Sequence, residues 1–266
     1  MVRPASSKWF LAALGRPVHY LEVLAVTIIF TRSHRSPGSP DVNGLGRRPD
    51  TLGRMITVRL LEGSLQAPSR KLAPDVQLYS WGDTGDWLYL IQSGWVKSMT
   101  WSQGGKPCLL GFSGPTDILG MSGYLTRRRA ETAMTKTVTE IRIIARDQFQ
   151  QIISEPGFRD AWHRYISAQI ARQQEALTHF VTLDSEHRLA VMLLNLARNF
   201  GVRKGAVLAI NCKITQDELA QMVGTTRSRV GYFLKRFEAE RLLEKRPDSL
   251  AIHESRLAGY LPVMSS

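Results

Sequence analysis

Arg227, Ser228, Tyr232, Lys235 and Arg236 make a polar, basic face on a stretch whose apolar residues, Val230, Phe233, Leu234 and Phe237, recur at helical spacing. Cationic side chains gathered on one side of a helix suit a polyanion, nucleic acid before membrane. Such a face needs a helix to carry it and a second element to fix that helix, and both are written just upstream. Thr215-Gln216-Asp217-Glu218 has the form of a capping box, in which the Thr oxygen takes the N3 amide and the Glu reaches back to the Thr amide. Leu219, Ala220, Met222 and Val223 follow as an apolar stripe about two turns long. Gly224 stands after the last of them, where a left-handed backbone favours glycine, and Thr225 and Thr226 offer a new N-cap. A short helix, a glycine turn and a second helix with a basic outer face form the helix-turn-helix pattern. An ordinary helical hairpin with a solvated basic face is the alternative.

The chain has 266 residues, enough for two modest domains, and a formal net charge of +12, which agrees with an anionic partner. Its two cysteines, Cys108 and Cys212, are far apart and lack metal-ligand spacing, so neither a disulfide framework nor a zinc or iron–sulfur site is expected, and a reducing cytoplasm fits. His163, His179 and His187 lack paired spacing for a metal and are read as surface or packing residues. No nucleophile elbow, phosphate loop or paired catalytic carboxylates stand in a recognisable context, so an enzyme is not expected.

From Val76 the chain alternates in short runs broken by glycine. Val76–Trp81 reads as a strand, Trp87–Gln92 and Trp95–Trp101 as a hairpin, and Pro107–Phe112, Pro115–Gly120 and Ala133–Ala145 as further strands, together a small β-barrel or roll. Asp147 is placed to cap a short helix over 148–154, and Pro156 to begin the next. Phe158, Trp162, Tyr165, Ile166, Ile170, Leu177 and Val181 then form a stripe along a helix of about 25 residues, spaced to pack against a copy of itself, or else on its own β domain. Asp184–Phe200 is a further amphipathic helix. Ala206–Ile210, Leu242-Leu243 and Leu250–Ile252 have strand character, which makes the helix-turn-helix winged, with Lys245-Arg246-Pro247-Asp248 as the wing tip.

This order of roll, long helix and winged helix-turn-helix resembles the bacterial Crp–Fnr superfamily of transcription regulators. The resemblance covers about Pro74 to Ile252 and is strongest over Lys213–Glu244; it includes Leu183-Asp184 and Leu193–Ala197. The fold class it implies is α+β: an N-terminal jelly roll like those that bind cyclic nucleotides, a long dimerisation helix and a C-terminal winged helix-turn-helix. The function it implies is a homodimer that reads double-stranded promoter DNA, with RNA polymerase as a further partner and no role at a membrane. By the same resemblance Arg227 should read guanine, and Ser228 and Tyr232 take base-facing positions where many members carry Glu and Arg. Arg229 and Lys235 are expected to clamp phosphates, with the hydroxyls of Thr215 and Thr226 and, on the wing, Arg246. A winged helix that contacts protein instead of DNA is the alternative. In nucleotide-binding members a Gly-Glu pair holds the ribose and an Arg-Ser or Arg-Thr pair holds the phosphate. Here these read Gly120-Met121 and Glu131-Thr132, so cyclic AMP is not expected to bind in the usual way. The run Arg127-Arg128-Arg129 is read as a solvated basic loop, with a substitute anion site as the alternative. No cofactor is expected, the effector is not identified, and Cys108 is read as a buried core thiol with haem or redox use as the alternative.

Residues 1–54 read differently. Trp9–Phe30 is apolar but interrupted, Val23–Phe30 is too short to span a bilayer, and Arg32–Arg54 has linker composition. Three readings stand open: a membrane or targeting segment, an extension packed on the main body, or a tail that is poorly ordered or whose start is misplaced, with Met55 as the true start. The domain boundaries expected are 1–54, 55–154 for the roll, 155–183 for the dimer helix and 184–266 for the winged domain.

Overall fold

The computed structural model describes residues 51–262. The three readings of the N-terminal stretch concern residues that lie outside the described ones. The first element is one that the pattern of the chain did not announce. Helix α1 (Thr51–Leu61) places Leu52 and Ile56, one turn apart, in a core with Phe149, Phe158 and Ala161. It therefore crosses the boundary expected after residue 54.

The roll consists of two four-stranded antiparallel sheets. β1 (Ser69–Leu72), β8 (Thr139–Ala145), β3 (Trp87–Ser93) and β6 (Ile118–Leu119) make one in that spatial order; β2 (Gln77–Tyr79), β7 (Thr132–Thr135), β4 (Val96–Trp101) and β5 (Pro107–Ser113) make the other. Two expectations are corrected here. Trp87–Gln92 and Trp95–Trp101 are not a hairpin: β3 pairs with β6 and β8, and β4 with β5 and β7. The Ser93-Gly94 turn carries the chain from one sheet to the other, with Gly94 at φ +84°, where a side chain would strike Val138. Ala133–Ala145 is likewise two strands, β7 and β8, one in each sheet. Within the roll, β4 and β5 do form a hairpin.

Helices α2 (Ser122–Thr126) and α3 (Arg146–Ser154) flank the roll. Ala145, not Asp147, is the N-cap of α3, and no side chain bonds to that cap; Asp147 sits inside the first turn. α4 (Pro156–Thr182) starts on Pro156 as expected, since proline at N1 gives up no helical hydrogen bond. Its first half lies on the roll, where Trp162 meets Tyr124 and Phe149 edge-on at 5.8 and 5.5 Å.

The C-terminal domain begins with α5 (Ser185–Phe200), capped by Asp184, whose carboxylate accepts from the Glu186 and His187 amides. α6 (Gln216–Val223), α7 (Arg227–Ala239) and α8 (Glu254–Tyr260) pack with it around Leu189, Leu193, Val230 and Phe237. β9 (Val202–Lys204), β10 (Val207–Ile210), β12 (Ser249–His253) and β11 (Leu243–Arg246) form the wing sheet, with β11 at one edge. The roll reaches into this domain: Leu109 and Phe112 of β5 belong to its core, and the Trp95 ring lies 4.4 Å from that of Phe200.

Candidate nucleic-acid interface

The helix-turn-helix forms where the local signals place it. Thr215 Oγ1 accepts from the Glu218 amide at 3.1 Å, and Glu218 Oε2 accepts from the Thr215 amide at 2.9 Å, which completes the capping box. Gly224 ends α6 in the left-handed region at φ +67°. Thr226 caps α7 by accepting from the Arg229 amide at 3.3 Å and shares a second bond with Ser228 Oγ at 3.1 Å. Val230, Phe233, Leu234 and Phe237 face inward, so the helical period fixes what faces out.

Arg227, Ser228, Arg229, Tyr232 and Lys235 are all exposed on α7. Tyr232 is 64% exposed and its ring leans edge-on against Phe233 at 5.9 Å. The Arg229 guanidinium sits 5.8 Å from the same ring, on its way to solvent. Arg227 meets Asp217 of α6 at 3.6 Å, a contact the sequence did not suggest. Arg246 lies on the wing, where it pairs with Glu244 at 3.3 Å. The Thr215 hydroxyl, expected to meet phosphate, directs its proton to Glu218 Oε2 at 3.1 Å. Thr226 likewise caps its own helix.

Glu218 has a second task. Lys136, from the turn between β7 and β8, donates to both its oxygens at 2.7 Å, and Lys97 of β4 lies 3.8 Å away. Burial works against its charge, but the Lys136 and Thr215 bonds win and hold the carboxyl below the usual range. The roll thus grips the first residues of the helix-turn-helix through one carboxylate. Nothing local to Lys136 in the sequence marks this role, because its partner lies 82 residues away.

The roll departs most from expectation at the arginine run. Arg127 and Arg128 are exposed, but Arg129 is 2% exposed, so the reading of all three as solvated is corrected. Its guanidinium donates to the carbonyls of Gly120 (2.7 Å) and Trp87 and lies over the Tyr79 ring at 4.3 Å. Its Nε has no hydrogen-bond partner. Tyr79 donates to Glu131 at 2.8 Å, and burial followed by the Glu131 charge pushes its phenol pKa upward. Thr132 is buried and accepts from the Trp81 amide at 2.9 Å; Met121 packs on the core beside Tyr124. Gly120, at φ +85°, is required by the guanidinium, since a Cβ there would collide with Arg129 Nη1. Cys108 is exposed on β5, not buried in the core as expected.

The long-helix stripe is split. Phe158 is buried and Trp162 and Tyr165 are half-buried on the protein's own roll, whereas Ile170, Leu177 and Val181 are exposed; Ile166 lies between these regimes. His179 stands 3.8 Å from Glu175, and His187 bonds Asp184 at 3.0 Å. Among the described residues no helix is long and apolar enough to cross a membrane.

A capped helix, a left-handed turn, an exposed second helix and a wing, joined through a long helix to a β-roll, define a winged helix-turn-helix regulator with a sensor-type domain. The comparisons agree. The family model for cyclic nucleotide-binding domains matches residues 69–155, and that for Crp-like helix-turn-helix domains matches 187–259. The CRP-like cAMP-activated global transcriptional regulator of Mycobacterium tuberculosis is 31% identical over 185 residues, 68% of this chain and 82% of the relative. The cAMP-activated global transcriptional regulator CRP of Escherichia coli O6:H1 is 29% identical over 181 residues, 66% of this chain and 84% of its own. Among solved structures, FixK2 from Bradyrhizobium japonicum superposes with a TM-score of 0.68 at 16% identity, over 76% of this chain and all of that one, and supports the fold. The chain belongs to the Crp–Fnr superfamily: it is a transcription regulator with a helix-turn-helix DNA-binding domain.

Proposed function

We propose that this regulator binds promoter DNA as a homodimer, reads sequence with α7 in the major groove, and does so without cyclic AMP. The observation that carries the reading is the exposed row Arg227, Ser228 and Tyr232 on α7, backed by a buried apolar face that fixes its direction. In this reading the Arg227 fork pairs with guanine O6 and N7 once it leaves Asp217. Ser228 and Tyr232 read neighbouring positions, and their types imply a half-site unlike that of members with Glu and Arg there. Arg229, Lys235 and Arg246 hold phosphates. Thr215 and Thr226 contribute mainly by capping the two helices, and a phosphate that approaches them adds to those bonds. Ile170, Leu177 and Val181 form the dimer seam, while Phe158, Trp162 and Tyr165 anchor the same helix to its own roll. RNA polymerase is the further partner that promoter binding calls for.

The relatives quoted above are named as cAMP-activated, but the roll of this chain supports a different control. Met121 offers no acceptor to a ribose hydroxyl, and Glu131 sets a carboxylate against a phosphate. Arg129 and Tyr79 fill the space beside Gly120 with the protein's own cation and ring.

Selection from random-sequence DNA, followed by gel shift, tests the reading. An enriched two-fold site is expected. Arg227→Ala should relax one base pair per half-site, a loss of about 1–3 kcal/mol of discrimination. Lys235→Ala should weaken all sequences alike and lower the salt slope by about one phosphate contact. Calorimetry with cyclic AMP should show no micromolar binding at the roll. No enriched site, or no effect of either substitution, would return the winged domain to a protein-interaction role.

A further inference from the structure

α6 carries the recognition helix with it, because Leu219 and Val223 share one core with Val230 and Leu234 of α7. Both ends of α6 are held from outside the helix-turn-helix. At its start, Lys136 of the roll donates to both oxygens of Glu218 at 2.7 Å, and the two side chains are only 14% and 12% exposed. At its end, Arg188 of α5 donates to the Val223 carbonyl at 3.0 Å and, through the same guanidinium, to the carbonyls of Leu183 (2.6 Å) and Phe180. α6 therefore has one fixed point on the roll and another where α4 passes into α5. Two points leave it one axis to turn about, and Leu109 and Phe112 of β5, which enter the core of the winged domain, oppose that turn.

The two fixings differ in kind. Arg188 binds carbonyls of the α4–α5 connection and of α6, and touches nothing of the roll through them. Lys136 and Glu218 join the roll to the helix-turn-helix, and their bond is charged. With Lys136 gone, Glu218 would keep a charge that is nearly out of water. Lys97 stands 3.8 Å away and is shared with Asp75 at 3.5 Å, so it does not replace two short bonds. Parting α6 from the roll relieves the stranded charge, since it brings the carboxylate to solvent without unfolding either domain.

We propose that Lys136 is a positioning residue for DNA reading: through Glu218 it holds α6 closed on the roll, and so sets the separation at which the two α7 helices of a dimer meet DNA. The positioning role rests on the DNA-reading proposal; the closure does not. Half-site spacing mirrors the geometry of the dimer, so a winged domain freed from its roll tolerates spacings that a held one rejects.

Cys212 reports the closure. It is 5% exposed, in the core that Leu109 and Phe112 enter, and close enough to Lys136 and Glu218 to feel both charges; Cys108 is exposed and serves as the control. In the full chain without DNA, Lys136→Met should raise the rate of N-ethylmaleimide labelling at Cys212 at least about tenfold, with Cys108 and the circular dichroism unchanged. Loss of the lysine charge without opening would slow that thiol instead. Adding Glu218→Gln removes the stranded charge and keeps an oxygen for the Thr215 amide, so the double variant should label within about threefold of wild type. On the two-fold site that wild type selects, two base pairs inserted between the half-sites should weaken wild type at least about tenfold and Lys136→Met by less than about threefold. Labelling of Cys212 that is unchanged or slower in Lys136→Met, that Glu218→Gln does not reverse, or that comes with loss of the folded spectrum overturns the closure and the proposal with it. Faster labelling with an unchanged spacing preference overturns the positioning role. A wild type that selects no two-fold site overturns the DNA-reading proposal and the positioning role together, while labelling still decides the closure.

Discussion

The guanidinium of Arg129 carries a full charge into the roll, and two kinds of contact make that tolerable: two carbonyl oxygens and a tyrosine face. Lysine would keep the charge but lacks the planar fork that bonds two carbonyls while lying flat on a ring. Both Arg129→Leu and Arg129→Lys should therefore destabilise the roll, by about 3 kcal/mol, because each leaves buried oxygens or a buried charge unmatched. Urea denaturation checks this; a lysine variant as stable as wild type would mean that the fork is not what matters. Nothing in the run Arg127-Arg128-Arg129 distinguished its third member. What buries Arg129 is Gly120, Trp87 and Tyr79, which are brought to it by strand pairing.

The capping box of α6 shows how one element can be set by neighbours in sequence and tied down by others far away. Thr215→Val removes the oxygen that accepts the Glu218 amide and should cost about 1 kcal/mol in thermal or urea unfolding. Glu218 adds a pH dependence. Its carboxyl is held below the ordinary value of 4.5 in the folded protein despite burial, chiefly by Lys136. A depressed folded pKa stabilises the fold above the unfolded value, and that stabilisation fades as pH falls through the folded value. The stability gap between wild type and Glu218→Gln should thus be constant above about pH 5 and shrink on acidification below it. Urea midpoints taken across that range measure the gap; one that widens in acid would reverse the assignment. The helix-turn-helix was legible because its signals are local. Capping box, glycine turn, second cap and helical period all act within one contiguous stretch, and each fixes backbone without help from afar. The sheets were not legible to the same degree. Alternation marks Trp87–Ser93 and Val96–Trp101 as strands, yet it is the same for a strand that pairs with its neighbour and one that pairs with β8.

For the whole molecule the surface on which the proposed dimer rests is the far half of α4. Leu177 is 62% exposed and makes no core of its own chain. Leu177→Asp should leave the monomer folded and raise the dimer dissociation constant by at least about tenfold, since a charge would enter an apolar seam. Sedimentation across a concentration series reads this out, and an unchanged distribution would remove α4 from the interface. The apolar stripe that runs from Phe158 to Val181 recurs along one helix in sequence, with a polar break at Gln173 and Gln174. Its division into a half that faces the roll and a half that faces outward depends on where α1, α3 and the roll end in space.

Residue order alone decided the class of protein and the outward face of α7 that is proposed to meet DNA, because a helix period, a cap and a glycine turn are short-range consequences of backbone sterics and hydrogen bonding. Folding in three dimensions decided which of three adjacent arginines lies in the roll and which lysine grips Glu218. It also decided which strands share a sheet. Those outcomes depend on contacts between residues distant in the chain, and no local pattern records which distant residue will arrive.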